Sequence, residues 1–124
     1  MNVVAQIAAG LAVLFHLLAF GMESLWFSRP QVHRRFGLSA EEARVVRPMA
    51  FNQGFYNLFL ALGVAGGLAA VNTGHVTVGR TLVLYACGCM ALAGVVLIVT
   101  DRRFVAAASG QILPPLVVFA ATVL

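Results

Sequence analysis

The sequence predicts an all-α membrane protein: a four-transmembrane-helix bundle forming a single domain over residues 1–124. Three observations carry this. The chain is 61% hydrophobic and 10% charged, with a mean hydropathy of +0.96; a soluble domain is closer to about half apolar and about a quarter charged. Four apolar stretches are each long enough to cross a bilayer. The polar connections between them are short, and the arginines gather in two of the three.

The first span covers Val3 to Phe27. It is too long for a signal-peptide core and no positive charge precedes it, so it is expected to persist as a membrane helix. His16 and Glu23 interrupt it. Seven residues apart, they share a helix face at a separation of ~10 Å. Trp26 and Phe27 follow, where interfacial aromatics belong. The connection from Ser28 to Arg47 carries Arg29, Arg34, Arg35, Arg44 and Arg47. Ser39-x-x-Glu42 has the form of a capping box. Residues Ala40 to Val46 are expected to make a short amphipathic helix lying on the membrane. Pro48 should stop it and open the next helix.

The second span is Met49 to Val71, followed by a polar turn at Asn72-Thr73-Gly74-His75. The third runs from Val76 to Val99. Cys87 and Cys89 lie within it, two residues apart and pointing away from each other, which suits packing and not a mutual disulfide. Asp101-Arg102-Arg103 makes the last turn. The fourth span is Phe104 to Leu124, with Gln111 two turns in and Pro114-Pro115 expected to kink it.

There is no lysine; the positive charges are eight arginines. The 28–47 connection and the 101–103 turn lie on the same side of a four-span protein, and together they hold all of these except Arg80. The positive-inside rule therefore predicts both connections in the cytoplasm, both termini outside, and a multi-pass protein of the inner (plasma) membrane. The basic loops suit anionic headgroups of the lipid bilayer. Nucleic acid is not expected as a partner, because no basic patch on a soluble surface carries stacking aromatics.

The second span opens on Phe51-Asn52-Gln53-Gly54-Phe55-Tyr56-Asn57. Three carboxamides and a phenol so close together are costly in a membrane helix unless something binds them. By helical spacing Gln53 stacks with Tyr56 and Asn57, and the stripe continues into Gly63 and Gly67, small residues that let helices approach closely. Given the expected topology, Glu23, the Asn52–Asn57 block and Gln111 all fall in the cytoplasmic half, Gln111 about 12 Å from its helix end. His16 sits near mid-membrane.

The block Asn52-Gln53-Gly54-x-Tyr56-Asn57, with Phe59-Leu60-Ala61-x-Gly63 after it, is similar to the central motif of the small integral membrane proteins grouped as "domain of unknown function 1304". The resemblance extends to His16, Glu23, Trp26, Pro30, Phe36, Gln111 and Pro114. It implies a four-helix membrane fold and assigns no catalytic or binding residue.

Three readings of function compete. In the first, Glu23, His16, Trp26, Asn52, Gln53, Tyr56, Asn57 and Gln111 line one cavity, open to the cytoplasm, that binds or transports a small solute or a lipid-like molecule. A transport path through so short a chain needs a homodimer. In the second, Glu23 and His16 move a proton in an intramembrane enzyme while the amides hold an oxyanion. In the third, the chain is a subunit or assembly factor packing through Gly63 and Gly67. Glu23 could instead be an interfacial acid paired with Arg29 or another arginine of the loop, and His16 could simply bridge two helices. The three histidines are dispersed, so no metal site is expected, and no cofactor motif is present.

Overall fold

The computed structural model describes all 124 residues, Met1–Leu124. It is helical throughout, without strands. Helix α1 spans Val3–Phe20, α2 Pro30–His33, α3 Ala40–Asn72, α4 Val76–Thr100 and α5 Val105–Val123. A π turn follows α1 at Gly21–Leu25, and 3₁₀ turns occupy Arg34–Phe36 and Arg102–Phe104. Four helical stretches are long and apolar enough to cross a membrane: Val3–Leu25, Ala40–Asn72, Val76–Thr100 and Arg102–Val123. They correspond to the four spans expected from sequence. The chain divides into two compact units, one of residues 1–15 with 60–124 and one of residues 16–59.

The larger unit is built on small residues. Asn2 caps α1, its side-chain oxygen accepting from the Ala5 N–H at 2.8 Å. Ala8, Ala9, Ala12, Val64, Val83, Ala86, Cys87, Met90 and Val118 form its buried core. Cys87 thus packs, as expected. Gly67 and Gly79 meet backbone to backbone: a Cβ on Gly67 would stand 2.8 Å from the Gly79 carbonyl oxygen, and a Cβ on Gly79 2.5 Å from that of Gly67. Gly63 is looser, since its Cβ would sit 3.7 Å from that of Ala86. The turn into α4 places Gly74 at φ 93°, and the His75 N–H returns to the Ala70 carbonyl at 2.9 Å. This is the left-handed helix stop that glycine makes without strain. Helix α5 continues through Pro114 and Pro115.

In the smaller unit, Phe27, Ala43 and Ala50 are buried with Phe36, Leu38 and Val46 packed against them. Gly37, at φ 73°, turns the chain after the 3₁₀ segment. The capping box forms: the Ser39 N–H donates to Glu42 Oε1 and the Glu42 N–H to Ser39 Oγ, each at 3.2 Å. The expectation of a separate surface helix ended by Pro48 is corrected. Pro48 lies inside one uninterrupted α3 of 33 residues. A mid-helix proline forfeits a backbone hydrogen bond and costs about 3 kcal/mol. Residues on both sides of it, Ala43 and Val46 before and Ala50 after, are tied into the same small core, and this shared burial opposes a break.

Candidate functional site

The site begins with a change of helix form. At Gly21–Leu25 the chain widens into a π turn, and the Trp26 N–H reaches the Gly21 carbonyl, five residues back, at 2.8 Å. Such turns insert an extra residue and are frequent at functional positions. They also change the angular spacing from that of the α-helix, on which the shared face of His16 and Glu23 is counted. Trp26 folds back over Gly21, where a Cβ would stand 2.5 Å from the indole ring. The Arg29 guanidinium lies 5.8 Å from the Trp26 ring centre, within cation–π range.

The π turn lies against α3 at Gly54. A Cβ at Gly54 would coincide with the Ser24 hydroxyl, so only glycine permits this approach. The Ser24 hydroxyl donates to the Phe51 carbonyl at 2.7 Å. A helical carbonyl has two lone pairs, and the second serves here. Phe20 and Phe55 pack edge to face at 5.2 Å beside this contact, and the Phe51 and Phe55 rings meet at a tilt at 5.1 Å.

One turn further along α3, Asn57 is 6% exposed. Its Nδ2 donates to Glu23 Oε1 at 2.9 Å and lies 3.4 Å from the Gln53 carbonyl oxygen. Glu23 is half-buried, and its second carboxylate oxygen has no hydrogen-bond partner within the chain. The pair therefore has one carboxylate oxygen held by an amide and one that the chain leaves without a hydrogen bond.

The other expected site residues are distributed differently. His16 is fully buried. Asn52, Gln53 and Tyr56 are exposed, Tyr56 at 59%. The expected stripe through Gln53, Tyr56 and Asn57 is thus split, because α3 turns Ala50, Gly54 and Asn57 inward. The bare face of Gly54 decides this rotation, since it allows the closest approach. Trp26 sits at the edge of the π turn. Gln111 is half-buried on α5, in the larger unit. Of the expected packing residues, Gly67 makes the tight contact and Gly63 an ordinary one.

Two hollows are lined by other residues. An apolar groove of about 340 Å³ runs along Val4, Ile7, Ala8, Leu11, Leu113, Pro114 and Val117. A polar hollow of about 280 Å³ is lined by Ser28, His33, Ala40, Ala43, Arg44 and Arg47. The sequence reading passed over Ser24, Gly21 and Gly54 as site-forming residues. A glycine amid four polar side chains was the available signal for Gly54.

A family model described as "Protein of unknown function (DUF1304)" matches residues 10–123. No curated protein and no solved structure matches the chain.

Proposed function

We propose that this chain, which belongs to the DUF1304 family, is a small multi-pass protein of the plasma membrane whose Glu23–Asn57 pair binds a small polar or lipid-like molecule at the cytoplasmic boundary of the bilayer. The observation that carries the reading is the 2.9 Å hydrogen bond from a buried carboxamide to a half-buried carboxylate at a π turn. Ionisable residues within membrane segments are rare and costly, and one held by a designated partner is the natural place to look for a functional site.

Helix length supports the depth. At 1.5 Å per residue, α3 is about 50 Å long, against about 30 Å of hydrocarbon. Counting back about twenty residues from Val71, where the apolar run ends, reaches Asn52. Asn52 and Gln53 then stand at the membrane surface, which explains how exposed carboxamides are tolerated. Asn57 lies about 7 Å inside that level, and Glu23 with it. A ligand carrying an ammonium or hydroxyl group would donate to the free Glu23 oxygen. Gln53 and Tyr56, accessible at similar depth, would contact its polar part. Both termini face outward in this reading, by the arginine distribution.

The test uses a hydrophobic carbodiimide, which modifies carboxyls reachable from lipid. Wild-type protein in lipid nanodiscs should be labelled at Glu23, and dodecylammonium should protect it. Labelling of Glu23 that dodecylammonium leaves unchanged would sink the ligand reading.

A second reading has its own observation. Tyr56, Phe59 and Phe51 are all exposed on α3. An aromatic surface beside carboxamides suits a second membrane helix, in a homodimer or an assembly partner. Cross-linking through cysteines placed at residue 56 distinguishes it.

A further inference from the structure

We infer that the hollow lined by Ser28, His33, Arg44 and Arg47 is a phosphate-binding site, taking the phosphate group of an anionic phospholipid or of a soluble phosphate. Ala40, Ala43, Arg44 and Arg47 occur at helical spacing, so they form one stripe on the first turns of α3. Glu41 and Glu42 fall off that stripe, and Glu42 is engaged with Ser39. Neither Arg44 nor Arg47 has a carboxylate partner; the chain's ion pair is Arg103 with Asp101, at 2.7 Å. Two unneutralised guanidiniums thus border one hollow of about 280 Å³.

His33 supplies an independent observation. It is 3% exposed, and its Nδ1 lies 2.9 Å from the Leu38 carbonyl oxygen. A carbonyl only accepts, so Nδ1 carries the proton and donates. Nε2 is the ring nitrogen left for a guest, and it makes no hydrogen bond within the chain. It can accept from a phosphate hydroxyl or, when protonated, donate to a phosphate oxygen. Ser28 adds a hydroxyl. Guanidinium forks, an imidazole and a hydroxyl match a tetrahedral oxyanion, and arginine is the residue suited to bidentate phosphate contacts. The hollow is slightly below the range of about 300–1,000 Å³ that holds drug-sized ligands, which suits a headgroup.

The inference rests on the depth assigned to α3 but not on a ligand at Glu23. Arg47 precedes Asn52 by five residues, about 7–8 Å along the axis. Headgroups extend roughly 5–8 Å beyond the hydrocarbon on each side, so Arg47 stands at phosphate level.

The full chain in detergent is titrated with short-chain phosphatidic acid, phosphatidylglycerol and phosphatidylcholine, and separately with inorganic phosphate, and bound species are counted by native mass spectrometry. Wild type should hold the anionic lipids about tenfold more tightly than phosphatidylcholine, or bind inorganic phosphate directly. Lipid retention that excess phosphate does not displace assigns a lipid source; displacement with direct phosphate binding assigns a soluble one. Both outcomes support the site. Arg44→Gln with Arg47→Gln should weaken binding about tenfold or more, the scale of lost charge-assisted hydrogen bonds. Arg34→Gln with Arg35→Gln, also exposed but outside the hollow, should leave it unchanged. If the first pair does not fold, Arg44→Gln alone should still weaken binding about threefold or more. Equal losses from both pairs, or no preference for anionic lipid and no phosphate binding, overturns the inference. Carbodiimide labelling at Glu23 is unaffected by either result, so the two proposals fail separately.

Discussion

Gly54 stands so close to Ser24 that a methyl group at residue 54 would occupy the space of the Ser24 hydroxyl. The hydroxyl is not free to swing away, because it donates to the Phe51 carbonyl at 2.7 Å. Gly54→Ala should therefore displace the π turn and break that bond. The expected cost is about 2–4 kcal/mol, combining overpacking with a lost hydrogen bond. Chemical denaturation in micelles measures it. Ser24→Gly should recover part of the loss in the double variant. Wild-type stability for Gly54→Ala would mean that the two helices separate without penalty.

The two glycines of the Gly63–Gly67 pair should behave differently. A Cβ at Gly67 meets Val83 at 2.7 Å and the Gly79 carbonyl at 2.8 Å, whereas one at Gly63 finds only the Ala86 methyl at 3.7 Å. Gly67→Ala is expected to cost about 1–3 kcal/mol, and Gly63→Ala less than about 0.5 kcal/mol or to stabilise slightly by removing backbone freedom. The same denaturation series compares them directly. Equal effects at both positions would contradict the packing.

Outside the spans, the Arg103 side chain, and then its backbone N–H, hydrogen-bond Asp101 and hold its carboxyl below the usual range. A depressed folded-state pKa means that stabilisation is present above the ordinary aspartate value and is lost as pH falls through the depressed one. The pair lies in a surface turn, with the Arg103 side chain largely exposed, so solvent screens the effect. Comparing wild type with Asp101→Asn across the acid range should show wild type the more stable near neutrality and the two converging at low pH. Parallel curves would contradict the assignment.

Much of this was legible because it follows short-range rules. The capping box at Ser39 and Glu42 and the stop at Gly74 depend on a few adjacent residues, and the spans depend on runs of apolar ones. The π turn was not legible. Nothing in Gly-Met-Glu-Ser-Leu demands a wide turn; it goes with contacts made far along the chain, Ser24 to Phe51 and Glu23 to Asn57. Pro48 misled for the complementary reason. Its local preference is to begin a helix, but burial of Ala43, Val46 and Ala50 in one cluster favours continuity. The inward stripe was misjudged by reading Gln53 and Tyr56 with Asn57, where the glycine between them set the rotation of the helix.

The Glu23–Asn57 pair can be weighed by what each side chain can still do after substitution. Glu23→Gln retains a side-chain oxygen able to accept from Asn57 Nδ2 at the same place, so stability should change by less than about 1 kcal/mol. Asn57→Leu removes the donor and leaves a half-buried carboxyl facing apolar side chains. That should cost about 1–3 kcal/mol, the penalty of an unsatisfied group. Replacing both residues by leucine leaves nothing unsatisfied, so the double variant should be more stable than Asn57→Leu alone. A double-mutant cycle from Glu23→Leu, Asn57→Leu and the pair reads the coupling without the packing changes each brings. The carbodiimide then separates stability from function: Glu23→Gln should stay folded and lose all labelling at residue 23, and Asn57→Leu should keep the carboxyl but lose protection by dodecylammonium, since the carboxylate is no longer held in place through its other oxygen. Additive energies in the cycle, with protection intact in Asn57→Leu, would leave the 2.9 Å contact as packing and remove Asn57 from the site.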